Sequence, residues 1–399
     1  MKKILAIVLC VALVLSLAAC GGSSTTTSTS TATESTESGD KVVKIGVYEP
    51  LSGDNGAGGK QEVLGMQYAN AVCPTVEIGG ETYQVELVIS DNESSTEKAV
   101  SAASNLVASG VSVVLGSYGS AVAIAGSDTF AEANIPCIGV TCTNALVTQG
   151  NDHYFRICFL DPFQGTVQAN LAKDEIGATV AYCIGQQGND YDTGLINNFK
   201  TAAEDLGMTV VAEYFPEGNS DFTSYLTNAK NAGAEVIFAP TSISYAQLIV
   251  EQAKDMGIPI CAPDTWDSNV VLEATQGTDL VLYVSTFYAE GGDPEFEENI
   301  KAWINGNDEA KTNNGGNDML SAVTVMGYDA YFVALEALKA AGSTDPADVL
   351  AALPNVTYTG VTGAIAFDEV GDAIRTEAFI KRANTTDNVW DFVSVQTVD

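Results

Sequence analysis

The sequence predicts an α/β protein made of two Rossmann-like units, each built on a mostly parallel sheet. Three observations carry that expectation. Short apolar, β-rich runs alternate with alanine-rich amphipathic runs along the chain. The same alternation begins a second time at Ala178. The body that remains after the N-terminal segments, about 360 residues, is too long for one compact core and suits two domains.

In chain order, "KVVKIGVYEP" (41–50) reads as a strand and is followed by a helical pattern from about Gln61 to Val72. "ETYQVELVIS" (81–90) precedes the helix of "STEKAVSAASNLVASG" (95–110), then "VSVVLG" (111–116), "SAVAIAGSDTFAEAN" (120–134) and "IPCIGVT" (135–141) continue the β-α-β rhythm of a sheet covered on both faces. In the second unit, "ATVAYCIG" (178–185) leads to a helix near Thr193–Leu206, "MTVVAEYF" (208–215) to one near Asp221–Ala232, and "AEVIFAP" (234–240) to one near Tyr245–Met256. Ser94-Ser95-Thr96-Glu97 and Asp221 carry helix-start chemistry. Gly110, Gly207, Gly233 and Gly257 close helices where a left-handed residue is needed. After "DLVLYVSTFYAE" (279–290) come helices near Glu295–Ile304 and Ser321–Ala341. "GAIAFDEVGDA", "TEAFIKRAN" and "VWDFVSVQTV" end the chain as antiparallel strands joined by turns.

Residues 1–20, "MKKILAIVLCVALVLSLAAC", combine two lysines, an apolar stretch of signal-peptide length and small residues before a cysteine, the pattern of an export signal. Leu17-Ala18-Ala19-Cys20 resembles a bacterial lipobox, which would make Cys20 the lipid-bearing first residue of the mature chain. The alternative is an ordinary secretory signal that ends at a cysteine. Residues 21–40, "GGSSTTTSTSTATESTESGD", contain no aromatic and no large aliphatic residue and cannot bury enough area to offset the entropy of ordering. As a coil this linker would span roughly 25 Å.

Once Lys2 and Lys3 leave with the signal, 15 basic residues face 51 acidic ones, a formal charge of −36. Nucleic acid and anionic membrane surfaces are therefore poor partners. Hydrophobic residues make up 46% of the chain, so this is a folded acidic protein rather than an acidic tail. Cys137, Cys183 and Cys261 sit inside apolar strand-like runs and read as buried free thiols, with Cys73, Cys142 and Cys158 completing the mature set. With no CxxC pair and one histidine, His153, a zinc or iron site has almost no ligands, and Ser-His or Cys-His nucleophile systems have no base. No cofactor and no enzyme activity are expected.

The glycine-rich stretch "LSGDNGAGGKQE" (51–62) resembles a phosphate loop but fails its spacing. The first glycine required before Gly59-Lys60 falls at Asp54, and Gln61 stands where a hydroxyl residue would meet magnesium. The dinucleotide pattern fails at Gln61 as well.

In parallel sheets ligands bind beyond the carboxyl ends of the strands. At those ends "GSYGS" (116–120) offers Ser120 and backbone N–H groups at a helix start, chemistry suited to a carboxylate or to a plain N-cap. "GVTCTN" (139–144) offers Thr141 and Thr143. Tyr191 in "GNDYDTG" can cover an apolar group or lie on the surface, and Asp264 in "CAPDTWDS" can pair with an ammonium or form a turn.

The lipobox, the Ser/Thr linker, "KIGVYEPLSG", "VVLGSYGSA", "IPCIGVTCTNALVT", "YFRICFLDPFQG" and "YDTGLINNFKTAAEDLGMTVV" together resemble the branched-chain amino acid binding proteins of ABC importers, which are type I periplasmic binding proteins. The similarity runs from about residue 42 to the end. It implies two lobes, 41–160 plus 287–360 and 161–286 plus 361–399, joined by three crossovers near Leu160, Thr286 and Val361, with a ligand cleft between them. It also implies that Ser120 and Thr143, with the main chain at Thr141, hold the carboxylate and amino groups of the ligand. Tyr191 would close from the second lobe and Asp264 would receive the ammonium. The chain departs from the family at Gly58 and at Ser242 or Ile243, where relatives carry aromatic walls, and Tyr118 or Trp266 is expected to fill that space. The implied protein is an extracytoplasmic, lipid-anchored monomer on the outer face of a Gram-positive cell membrane. It would close on a branched-chain or related amino acid and deliver it to a permease with ATPase subunits. A sensing module for a signalling receptor, or binding of another small carboxylate or amide, would use the same fold.

Overall fold

The computed structural model describes residues 41–398. The signal peptide at 1–20, the lipidation expected at Cys20 and the linker at 21–40 lie outside the described residues.

Strand β1 (Lys41–Glu49) is followed by α1 (Gly56–Val72), the hairpin β2 (Thr75–Ile78) and β3 (Glu81–Asp91), then α2 (Thr96–Ser109), β4 (Val113–Leu115), α3 (Ser120–Glu132), β5 (Cys137–Gly139) and β6 (Tyr154–Arg156). These strands form one sheet in the order β2-β3-β1-β4-β5-β6, parallel except for β2 at its edge. Helix α4 (Asp161–Asp174) then leads to β7 (Val180–Gln186), α5 (Asp190–Asp205), β8 (Thr209–Phe215), α6 (Thr223–Asn231), β9 (Val236–Phe238), α7 (Ile243–Ala253), β10 (Ile260–Ala262), α8 (Asn269–Thr275) and β11 (Leu282–Thr286). Helices α9 (Pro294–Asn305), α10 (Asp308–Asn313), α11 (Ala322–Ala341) and α12 (Pro346–Ala352) follow, then β12 (Thr357–Gly360), β13 (Gly363–Ala366), β14 (Glu377–Asn384) and β15 (Val389–Thr397). The second sheet runs β15-β14-β11-β10-β9-β7-β8, parallel from β8 to β11 and antiparallel at its C-terminal edge, while β12 and β13 form a separate hairpin.

The central strands β4, β5, β9 and β10 are buried along their whole length, as parallel strands covered on both faces must be, and so is the edge strand β6. Gly110, Gly207, Gly233 and Gly257 all take left-handed φ values between 67° and 79°. Cys137, Cys142, Cys158, Cys183 and Cys261 are buried free thiols, and Cys73 is half-buried.

Several boundaries differ from the sequence reading. Helix α1 starts at Gly56, not near Gln61, so most of the glycine-rich stretch is helical. Only Gly53, at φ +76°, needs glycine for its backbone angle. Gly58 and Gly59 lie inside the helix for want of room: a methyl group would sit 2.4 Å from the Tyr118 ring at Gly58 and 2.1 Å from the Pro50 carbonyl oxygen at Gly59. Helices α5 and α7 also start two or three residues early, at Asp190 and Ile243, whereas α6 starts two residues late at Thr223. Edge strands β2 and β12 and the short helices α8, α10 and α12 escaped the periodicity because each spans four to seven residues.

Helix α1 packs on the largely buried α11 at a glycine contact. A Cβ on Gly65 would meet the Thr324 carbonyl oxygen at 1.9 Å, and one on Gly327 would meet the Glu62 carbonyl oxygen at 2.2 Å. Gly65→Ala must push the two backbones apart and is expected to cost about 1–3 kcal/mol in denaturant unfolding, despite the higher helix propensity of alanine.

Candidate functional site

In both sheets the strand order reverses direction beside the first strand of the unit, between β1 and β4 and between β7 and β9. Loops diverge at such points and leave a crevice at the strand carboxyl ends. A cavity of about 450 Å³ lies there, lined by Gly53–Asn55 after β1, Tyr118–Val122 after β4, Gln186–Asn189 after β7, and Ser242 after β9. Loops from the two sheets touch directly around it. The Ser244 N–H donates to the Asp54 carbonyl at 3.1 Å, the Ser244 hydroxyl to Asp54 Oδ1 at 2.8 Å, and the Tyr118 hydroxyl to the Thr265 carbonyl at 2.9 Å.

The first turn of α3, with Ser120, Ala121 and Val122, forms one wall. This helix has no acid in its first turn and no side-chain cap, so its positive end is left for a ligand. Helix α1, which starts just after the lining residue Asn55, likewise has no side-chain cap and no acid in its first turn, whereas the other helix starts around the cavity have polar partners. Glu97 sits in the first turn of α2, Asn189 caps α5 with Asp190 and Asp192 beside it, and Asp54 and Asn55 take the first N–H groups of α7. Ser120 Oγ accepts the Asn144 N–H at 3.1 Å, which leaves its proton free to donate.

Thr141 lines the cavity and donates to Glu62, while Thr143 is fully buried with its hydroxyl beside the Asp161 carboxyl. Their loop is held by Arg156, whose guanidinium donates to the Cys142 carbonyl at 2.9 Å, to the Asn144 carbonyl, to Thr148 Oγ1 at 3.0 Å and to Asp372 Oδ1 at 2.7 Å. Asp264 begins the short turn Asp264–Trp266 after β10. Its Oδ1 accepts from Gln164 Nε2 at 2.8 Å and from the Tyr191 hydroxyl at 3.0 Å, and its buried Oδ2 has no partner among the described residues. Tyr191 and Tyr118 both line the cavity.

The structure thus brings Ser120, Thr141, Tyr191 and Tyr118 to one cavity, with Thr143 and Asp264 in the layer behind. The Tyr118 ring occupies the space over Gly58. Trp266 does not share that role: it is fully enclosed in the core of the second unit, with Nε1 donating to the Thr241 carbonyl at 3.2 Å. The apolar environment after β10 draws the indole inward, and the Tyr118 hydroxyl reaches across in its place. Sequence reasoning missed Glu49, Glu62, Asp161 and Gln164, all fully buried. Glu49 stands at the end of β1, where strand-end logic could have found it. Glu62, in "GGKQEVLG", looks like an exposed helix residue and carries no such signal.

Burial dominates the electrostatics. It raises the Asp264 carboxyl to about 6 against the hydrogen bonds from Gln164 and Tyr191, and the Asp161 carboxyl to about 7. Glu62 is raised by burial and by the charge of Asp264, and Glu49 by burial and by the charge of Glu62. These folded values lie above the unfolded ones, so between about pH 4 and 7 the folded chain binds more protons and its stability falls as pH rises. The ligand-free protein should therefore melt at a higher temperature at pH 5.5 than at pH 7.5, and Asp264→Asn should flatten that difference by about 1 kcal/mol or more in calorimetry. A general relief of charge repulsion would leave the slope unchanged in the variant.

The profile of a family described as periplasmic binding protein matches residues 42–387. Leu/Ile/Val-binding protein homolog 1 of Brucella abortus (strain 2308) is 30% identical over 343 residues, covering 84% of this chain and 87% of the relative. The leucine binding protein LivK of Thermotoga maritima MSB8 superposes with a TM-score of 0.78 at 30% identity, over 89% of this chain and 99% of that one. LivJ of Streptococcus pneumoniae, a branched-chain amino acid transporter substrate binding protein solved with isoleucine, reaches 0.75 at 25% identity, over 90% and 99% of the two chains. With two switch-point sheets around one cleft and a matching profile along nearly all of the described residues, the chain belongs to the periplasmic binding protein family.

Proposed function

We propose that this protein is the extracytoplasmic solute-binding component of an ABC importer that takes an α-amino acid, branched-chain or related, through its carboxylate and ammonium groups. One observation carries the reading: Asp264 Oδ2, buried and without a partner among the described residues, stands beside the cavity-lining Tyr191, and the uncapped start of α3 lines the same cavity. An ammonium matches the first and a carboxylate the second, with Ser120 donating its hydroxyl. Gln164 and Tyr191 occupy Oδ1 of Asp264 and leave Oδ2 without a partner among the described residues.

The lobes 41–160 plus 287–360 and 161–286 plus 361–399 close on the ligand about the crossings near Leu160, Thr286 and Val361. The rings of Phe159 and Phe287, 4.2 Å apart beside two of those crossings, supply a compact pivot. Closure presents the loaded form to a permease driven by ATPase subunits. Lipid at Cys20 tethers the monomer to the outer face of a Gram-positive membrane, and the protein binds its cargo without chemical change.

Calorimetric titration of the ligand-stripped protein with the twenty proteinogenic L-amino acids tests this reading. One-to-one binding is expected. Ser120→Ala and Asp264→Asn should each weaken the best ligand about ten- to a hundredfold, the worth of one charge-assisted hydrogen bond. Saturable binding confined to compounds without an ammonium group would remove Asp264 from its role.

A further inference from the structure

We infer, resting on the two-lobe closure proposed above, that Asp54 and Asn55 are positioning residues that latch the closed form by capping a helix of the other lobe. The latch is read from the start of α7. Ser242, which precedes this helix, gives it no side-chain cap, and the first N–H groups of a helix have no partner inside it. They are taken instead by the loop after β1, 188 residues away in the chain. The Ile243 N–H donates to Asn55 Oδ1 at 3.3 Å, the Ser244 N–H to the Asp54 carbonyl at 3.1 Å, and the Ser244 hydroxyl to Asp54 Oδ1 at 2.8 Å. Neither N–H group has a partner from its own lobe among the described residues. The carboxylate of Asp54 also places a negative charge at the positive end of the α7 dipole.

The capping loop keeps its shape without help from α7. The Leu51 N–H and the Ser52 hydroxyl donate to the two oxygens of Asp91 at 2.8 and 2.7 Å. The Asn55 N–H donates to Ser94 Oγ at 3.0 Å, and the Ser94 hydroxyl returns to the Ser52 carbonyl at 2.8 Å. Gly53 turns the chain at φ +76°, where a methyl group would stand 2.2 Å from the Glu93 carbonyl oxygen. Asp91, Glu93 and Ser94 all lie at the end of β3, in the same lobe as the loop, so the acceptors are in place before the cleft closes. Opening returns the first N–H groups of α7 to water, and closing caps them again. Asp54, Asn55 and Ser242 line the cavity, and Asp54 is exposed, which puts the latch at the edge of the cleft. Its bonds join protein to protein, so they add the same increment to the closed form whatever cargo is enclosed. They lengthen the residence of the cargo and leave the ranking of ligands unchanged. The glycine-rich stretch that fails as a phosphate loop thus has a use: its turn at Gly53 presents Asp54 and Asn55 to a helix start.

The test is stopped-flow fluorescence and titration calorimetry of the full-length, ligand-stripped protein with L-leucine, L-isoleucine and L-alanine, repeated on Asn55→Ala, Asn55→Asp and Ser244→Ala. Asn55→Ala should speed the release of every bound probe by one common factor, about three- to tenfold, the usual worth of a helix cap. Association should change by less than about twofold. Asn55→Asp keeps the acceptor and adds a negative charge at a helix start, so slow release should return. Ser244→Ala, outside the cavity lining, should speed release by a smaller factor. Unchanged release in Asn55→Ala overturns the latch, as does Asn55→Asp releasing as fast as Asn55→Ala. Losses that differ between probes also overturn it, since they would mean that Asn55 touches the cargo. If none of the three amino acids binds the unmodified protein, the amino-acid reading fails on its own. Amide hydrogen exchange at Ile243 and Ser244 then decides the latch: protection that Asn55→Ala abolishes upholds it, and exchange at the free-peptide rate overturns it.

Discussion

The carboxylate of Asp267 is the joint from which the site hangs. It accepts from Lys381 Nζ at 2.9 Å through both oxygens, and Oδ2 also accepts from the Thr286 hydroxyl at 2.9 Å and the Ala322 N–H at 3.0 Å. Its backbone carbonyl takes the hydroxyl of Ser321. Four segments distant in sequence thus meet on one residue: the loop after β10, the end of β11, the start of α11 and strand β14. Removing either charge would leave the other buried and alone, so the joint can be released only at a cost of several kcal/mol. Asp264, three residues earlier, inherits its position from that joint and from the bonds of Thr265 and Trp266 to the Thr241 carbonyl.

The same joint sets the electrostatics of the cleft. Lys381 and Arg156 are fully buried cations, and each is matched to its own carboxylate. Arg156 partly offsets the rise of Asp161, and the carboxyls of Asp264, Glu62 and Asp161 are all pushed up because burial disfavours their charged forms. The cleft is thus bordered by the buried Asp264 Oδ2, which has no partner among the described residues, and by the starts of α1 and α3, which have no side-chain caps.

Tyr118 ties several walls of the cavity together. A glycine at position 58 opens the face of α1, and the ring of Tyr118 moves onto it, with its hydroxyl tied to the Thr265 carbonyl and its N–H donating to Glu49 Oε2 at 2.6 Å. One residue thereby links the end of β1, helix α1, the start of α3 and the turn after β10.

Much of this was legible in the sequence because it depends on local, periodic chemistry. Alternating apolar runs, glycine at helix ends and the rule that parallel strands deliver loops to one edge suffice to derive two α/β units and to nominate Ser120, Thr141, Thr143, Tyr191 and Asp264. Gly58 and Gly59 could not be read this way, since their reason is the nearness of Tyr118 and Pro50, one a distant partner and the other across a turn. The inward turn of Trp266, the burial of Glu49 and Glu62, and the Arg156 and Lys381 pairings were likewise decided only by tertiary structure. A carboxylate has the same letter whether solvated or enclosed, and its chemistry follows from neighbours hundreds of residues away. The sequence by itself determined the strand ends and the residue types they carry; the packing of α1 against α11 and of the two sheets around one cleft decided which of those groups are left without partners, and hence what the protein can bind.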